Sequence, residues 1–116
     1  MKIRDWDNYK EQKCTLGKHR WAVARLIELS KELPIKEIPL DYLNIYNTYD
    51  KLTLRDMVMH INAINNCNLD YPIILDEDGE LLDGRHRIMK ALLLGKDTIK
   101  VVRFDENPIP CEILEN

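Results

Sequence analysis

Cysteine is scarce and scattered. Cys14, Cys67 and Cys111 are odd in number, far apart, and form no Cys-x-x-Cys. That set excludes a disulfide framework, argues against a zinc site, and suits a reducing compartment. Excess positive charge is lacking too. Lys and Arg number 17 against 20 Asp and Glu, a net charge of −3, so no general basic field draws the chain to DNA or to anionic lipid. DNA contact would need a local patch. No apolar run reaches the length of a membrane span, and Met1–Trp6 has no signal-peptide core. The expectation is a cytoplasmic protein with no membrane partner. Repeats and low-complexity tracts are missing as well. What remains is ordinary globular composition, 45% hydrophobic over 116 residues, enough for one core without metal or disulfide support.

The informative stretch is Leu69–Val102. Pro72-Ile73-Ile74-Leu75 reads as a short strand. Asp76-Glu77-Asp78-Gly79 is a turn cluster, with Asp-Gly as the pair that tolerates positive φ. Glu80-Leu81-Leu82 returns as a second strand. Asp83-Gly84 breaks it, and a helix follows with Ile88, Ala91 and Leu92 at helical spacing up to a stop at Gly95.

The first turn of that helix carries the chemistry. A helix N-terminus has partial positive charge and unpaired backbone N–H groups, so acids belong there. This chain places Arg85, His86 and Arg87 there instead. Each exposed cation so placed costs about 0.3–1 kcal/mol. Donors of this kind after a glycine describe an anion site, most simply for phosphate. The plain alternative is a tolerated surface turn, with Gly84 only turning the backbone and Arg87 paired to an acid. Asp83 has three readings: a proton acceptor, a holder of Mg2+, or a helix cap.

The rest of the chain is read as support. Residues 1–15 are a polar arm with Trp6 and Tyr9 as anchors, and residues 16–116 are the domain, with its core over 35–104. The spacing predicts a helix over Leu16–Leu33, burying Trp21, Ala24, Ile27 and Leu29 and ended by Pro34. Its basic cluster Lys18-His19-Arg20 with Arg25 is either a solvated face or a phosphate contact. Glu37–Leu40 is a strand, and Pro39 puts it at a sheet edge. Asp41–Lys51 reads as a loop anchored by Tyr42, Tyr46 and Tyr49. Thr53 and Asp56 form a capping box that opens a helix burying Met57, Val58, Ile61 and Ile64. Thr98–Phe104 is a clear strand, and a short edge strand fits Cys111–Leu114. The order predicts a small α/β (α+β) domain with a mixed sheet and flanking helices.

The run Pro72–Leu75, a turn, Leu82-Asp83-Gly84-Arg85-His86-Arg87 and a helix containing Ala91 and Gly95 resembles the ParB/sulfiredoxin superfamily. Glu37–Leu43 is similar to the family's opening strand, so the resemblance covers roughly residues 35–104. Within the family, ParB partition proteins bind CTP, sulfiredoxins bind ATP, and the free serine kinases have Asp-Gly-His-His-Arg, the pattern nearest to Asp83–Arg87. The resemblance implies that Gly84, Arg85, His86 and Arg87 bind the phosphates of a nucleoside triphosphate, CTP or ATP, with Mg2+ bound alongside. It extends to slow hydrolysis or phosphoryl transfer, with Asp83 and Asp50 as the catalytic carboxylates. Arg85 stands where sulfiredoxins keep their reactive cysteine, so that reductase chemistry is not expected. The serine kinases' loop glutamate has no counterpart over Asn44–Lys51, where Asp50 is the acid. ParB's helix-turn-helix reader would follow Phe104, and no such domain is expected in the short remainder. The alternative is a DNA-associated or protein-regulatory ParB-like module without catalysis, because one fold hosts several activities.

Overall fold

Gly17 takes φ +59°, and with Lys18 it makes a two-residue turn between β1 (Lys13–Leu16) and β2 (His19–Ala22), where Leu16 pairs with His19. A hairpin this tight requires positive φ, which glycine adopts without a Cβ clash. The helix expected over Leu16–Leu33 is therefore corrected. Lys13–Ala22 form a hairpin, and α1 runs over Val23–Ser30. Trp21, Ala24 and Ile27 do fall at helical spacing, but Trp21 is buried from a strand. The helix itself buries Val23, Leu26 and Ser30, while Leu29 is exposed. The computed structural model describes residues 12–43 and 52–115. The arm before Gln12 lies outside them, and Lys13–Thr15 belong to β1 rather than to an arm.

The chain continues through β3 (Lys36–Pro39), a turn of 3-10 helix at Leu40–Tyr42, α2 (Leu54–Asn66), β4 (Ile73–Leu75) and β5 (Leu81–Asp83). It ends through α3 (Arg85–Leu93), β6 (Thr98–Arg103) and β7 (Glu112–Ile113). Two sheets result. One has the order β1-β2-β7, all antiparallel. The other is mixed, with the order β3-β6-β4-β5, in which β4 runs parallel to β6 and the remaining pairs are antiparallel. Pro39 lies on edge strand β3, as its missing N–H requires. The architecture is a small α+β domain with three helices and two sheets among the described residues.

The mixed sheet is covered on both faces. One face gathers Leu40, Leu43, Ile73, Leu75, Ile99 and Val101 under Ile88 and Ala91 of α3. Ile74, Leu82, Val102 and Phe104 meet Trp21 and Leu26 in a second cluster, where the Trp21 indole N–H donates to the Pro108 carbonyl at 2.9 Å. Alternation along β4 and β6 feeds the two cores, which is why Ile73-Ile74-Leu75 is apolar throughout.

The two longer helices behave differently. α3 closes with the Lys96 N–H on the Ala91 carbonyl (2.9 Å) and the Gly95 N–H on the Leu92 carbonyl (3.1 Å), a Schellman stop. Helix α2 opens with the expected capping box, Thr53 Oγ1 accepting from the Asp56 N–H and the Asp56 carboxylate accepting from the Thr53 N–H. Its packing corrects the sequence expectation. Leu54, Met57, Val58 and Ile61 are exposed, Ile64 is half-buried, and Ala63 is the residue the helix buries. The spacing was helical, but the neighbouring elements lie on the other side. Tyr42 also fails as an anchor, being 78% exposed; Tyr46 and Tyr49 lie outside the described residues. Among the described residues no helix is long and apolar enough to cross a membrane.

Candidate functional site

Gly84 is the pivot between β5 and α3. Its φ of +118° lies in the left-handed region, and a Cβ built on it would come within 2.5 Å of Ile73 Cγ2 and 3.1 Å of the Ile73 Cα. Strand β4 thus passes directly under the turn, and no other residue fits. The Gly84 carbonyl accepts the Ile88 N–H at 3.1 Å, the first bond of the helix. Gly84 brings no capping side chain, and the first turn contains no acid. The helix therefore starts as the sequence indicated, with its positive end ringed by Arg85, His86 and Arg87.

The three side chains are held in different ways. Arg87 reaches back one turn to Asp83, Nη2 to Oδ2 at 2.9 Å, with both side chains less than a fifth exposed. Its Nη1 donates to the Pro72 carbonyl at 3.4 Å. Arg87 thus fastens the entry of β4 and the exit of β5 to α3, and Asp83 serves as its partner rather than as a cap. The ring of His86 meets His60 of α2, with Nε2 and Nδ1 2.8 Å apart and ring centroids 5.1 Å apart. Arg85 is exposed at the first helical position. One turn past His86, Lys90 Nζ donates to the carbonyls of Asn65 (3.2 Å) and Cys67 (2.6 Å), tying the far end of α2 to α3.

Cys14 on β1 belongs to the same corner, because β1 packs against β5. Burial, then the Asp83 carboxylate, push its thiol up to about 11, against a lowering by Arg85. At neutral pH it is a protonated thiol and no nucleophile. Cys111 is the opposite case. The Ala22 N–H and the Arg25 guanidinium donate to its exposed sulfur and lower it below the usual thiol value. Arg25 is committed there and to the Ile109 carbonyl, and Arg20 to Thr15 and Glu112, so the basic cluster of the first helix disperses along the small sheet.

The remaining candidates fall elsewhere. Asp50 lies outside the described residues. Asp76 is buried, its carboxylate accepting the N–H groups of Asp78 (2.9 Å) and Glu80 (2.8 Å), which makes Asp76–Gly79 a hairpin turn as read from the sequence. A cavity of about 830 Å³ opens at the far end of β4, where Lys36 and Arg103 face Glu77, Asp78 and Asp105. Gly84 touches Ile73 at the start of that strand, so cavity and motif lie at opposite ends. The cavity's acids outnumber its bases, and Arg103 already donates to the Glu77 carbonyl. For an anion the α3 N-terminus is the better place. Among the described residues no group of three His, Cys, Asp or Glu could hold a metal ion.

Sequence reasoning missed His60 and Cys14. His60 shares a face of α2 with Asp56 and Ala63, the polar face that turns inward, and hydrophobic periodicity gave that face no weight. Cys14 reaches the motif only through the hairpin. Comparison with known protein families, with characterised proteins and with solved structures finds no match.

Proposed function

We propose that the N-terminal turn of α3 binds the phosphates of a nucleoside triphosphate, in the manner of the ParB/sulfiredoxin superfamily that the Asp83–Arg87 motif resembles. One observation carries the reading: a left-handed glycine with no room for a Cβ opens a helix whose first turn carries two arginines and a histidine and no acid. The glycine seats the turn on β4 and starts the helix there, and the helix dipole and Arg85 supply positive charge, with Arg85 and His86 as donors. Arg87 has five N–H donors and uses some of them on Asp83 and Pro72, so it positions the turn and lends charge to it.

Mg2+ would arrive with the nucleotide. The chain's own residues fit it poorly, since Asp83, the acid that flanks the turn in sequence, is committed to Arg87. Turnover would need a carboxylate to position the attacking group, and a paired Asp83 fills that role badly. The reading is therefore binding first, with hydrolysis or phosphoryl transfer dependent on an acid such as Asp50. Three free cysteines agree with a reducing, cytoplasmic setting. A second reading, a regulatory module that contacts another protein, is favoured by the apolar stripe that α2 exposes. DNA association draws no support from a net charge of −3.

A thermal-shift panel of CTP, ATP, GTP, UTP and ADP, with and without Mg2+, tests the proposal on wild type and Arg85→Ala. Ligand at about a hundred times its Kd stabilises the fold by about 2.7 kcal/mol, a visible shift in Tm. The expected result is a shift with a triphosphate that shrinks in Arg85→Ala. No shift with any nucleotide would leave the regulatory reading.

A further inference from the structure

The cavity at the far end of β4 has no part in the phosphate site, and its make-up points to a ligand of another kind. Strands β4 and β6 run parallel and finish side by side there, Leu75 level with Arg103. Open α/β sheets take ligands in the crevice outside the carboxyl ends of their parallel strands. An opening of about 830 Å³ lies within the range of small-molecule sites. Its floor is apolar, with Leu43, Leu75, Val101 and Phe104 all buried. One wall is fixed, because Arg103 Nε donates to the Glu77 carbonyl at 3.2 Å and the Asn107 N–H donates to Glu77 Oε2 at 3.2 Å.

The other charged groups of the rim are uncommitted. The side chains of Lys36, Asp78 and Asp105 make no hydrogen bond or ion pair among the described residues, although all three line the one cavity. They also stand apart. Lys36 is on β3, Asp105 follows β6 and Asp78 follows β4, and the strands lie in the order β3-β6-β4. β3 and β4 are therefore two strand spacings apart, about 10 Å. A cation on one side, two carboxylates on the other and an apolar floor between them match a zwitterion with an apolar body. A simple anion would meet both free acids, and a polyamine would meet Lys36. Three residues of extended chain span about 10 Å, the same distance.

We infer that this cavity binds a short apolar peptide of about three residues, with its carboxylate on Lys36, its ammonium on Asp78 and Asp105, and its side chains on the floor. Tyr42, 78% exposed at the mouth, offers its ring to one of those side chains. The inference is independent of the phosphate site at the other end of β4.

Backbone amide NMR of the full chain with the tripeptide Leu-Ala-Leu at millimolar concentration tests this. The comparison ligands are the same peptide acetylated at its amino end, the same peptide amidated at its carboxyl end, and leucine alone. The free tripeptide should shift the amides of Lys36, Asp78, Arg103 and Asp105 and leave Gly84–Arg87 unmoved. Capping either end should weaken binding by about three- to tenfold, the usual worth of one charged contact at a surface. Lys36→Gln should weaken the free tripeptide by a similar factor and bind the amidated one as wild type does. The double variant Asp78→Asn with Asp105→Asn should no longer distinguish free from acetylated peptide. All three residues are exposed, so these variants keep the fold. The inference would be overturned by unmoved cavity amides, by equal binding of free and capped peptides, or by leucine alone binding as tightly as the tripeptide. A Lys36→Gln effect that persists with the amidated peptide would overturn it as well.

Discussion

Helices α2 and α3 lie side by side, yet they use their apolar residues in opposite ways. α3 presses Ile88 and Ala91 into the sheet and keeps its cations at the first turn. α2 turns Leu54, Val58 and Ile61 outward, with Leu54 83% exposed, and presents Asp56, His60 and Ala63 to the domain. Both have helical periodicity. The difference teaches that periodicity gives the spacing of a face, while the position of neighbouring elements decides whether that face is covered. α3 is tethered at both ends by short turns to strands of one sheet, so its apolar side has nowhere else to go. α2 is held through a histidine contact and two lysine hydrogen bonds, and its composition alone does not choose a side.

The sharpest way to break this comparison is at Gly84. Gly84→Ala forces a Cβ into Ile73 at a φ of +118°, and should cost about 3–4 kcal/mol in urea unfolding. A loss under about 1 kcal/mol would mean that the turn is not pressed on β4. Next comes a matched pair of truncations. Ile88→Ala, at a residue 8% exposed, should cost about 2–4 kcal/mol. Ile61→Ala, at 54% exposed, should stay under about 1 kcal/mol. Equal losses would show that the outer face of α2 is covered in solution, by a second copy or another partner, and the concentration dependence of Tm would then identify self-association.

A smaller effect separates the thiols. Cys111 should alkylate first near neutral pH, since hydrogen bonds lower its thiol, whereas Cys14, packed beside the motif and raised to about 11, should react only on unfolding or in strong alkali. The sign for stability follows. The unfolded chain releases the Cys14 proton near the ordinary thiol value while the folded chain keeps it, so this contribution is lost as pH rises from about 9 to about 11. Alkylation of Cys14 ahead of Cys111, followed by mass spectrometry, would contradict the packing of β1 against β5.

Most of the mixed sheet was legible because punctuation marks it. Pro72, Asp78-Gly79, Gly84 and Gly95 bound β4, β5 and α3 to within a residue, and Pro39 put β3 at an edge. Thr53 and Asp56 located the start of α2. The amino-terminal hairpin was not legible, because Trp21, Ala24 and Ile27 imitate a helical stripe and Gly17 was read through as if it lay in a helix. The cationic turn was visible as residues, but its wiring was not. That Arg87 would choose Asp83, that His86 would meet His60 26 positions earlier, and that Cys14 would lie beside them are products of tertiary packing with no local signal.

The most direct test is to map triphosphate binding by backbone amide NMR, titrating MgATP and MgCTP into labelled protein. The N-terminal turn of α3 should respond first, with the largest shifts at the amides of Gly84, Arg85, His86 and Arg87, and with the ring of His60 following. Shifts confined to Glu77, Asp78 and Arg103 around the cavity at the other end of β4, or none with either nucleotide, would contradict the assignment of the phosphate site to Gly84–Arg87.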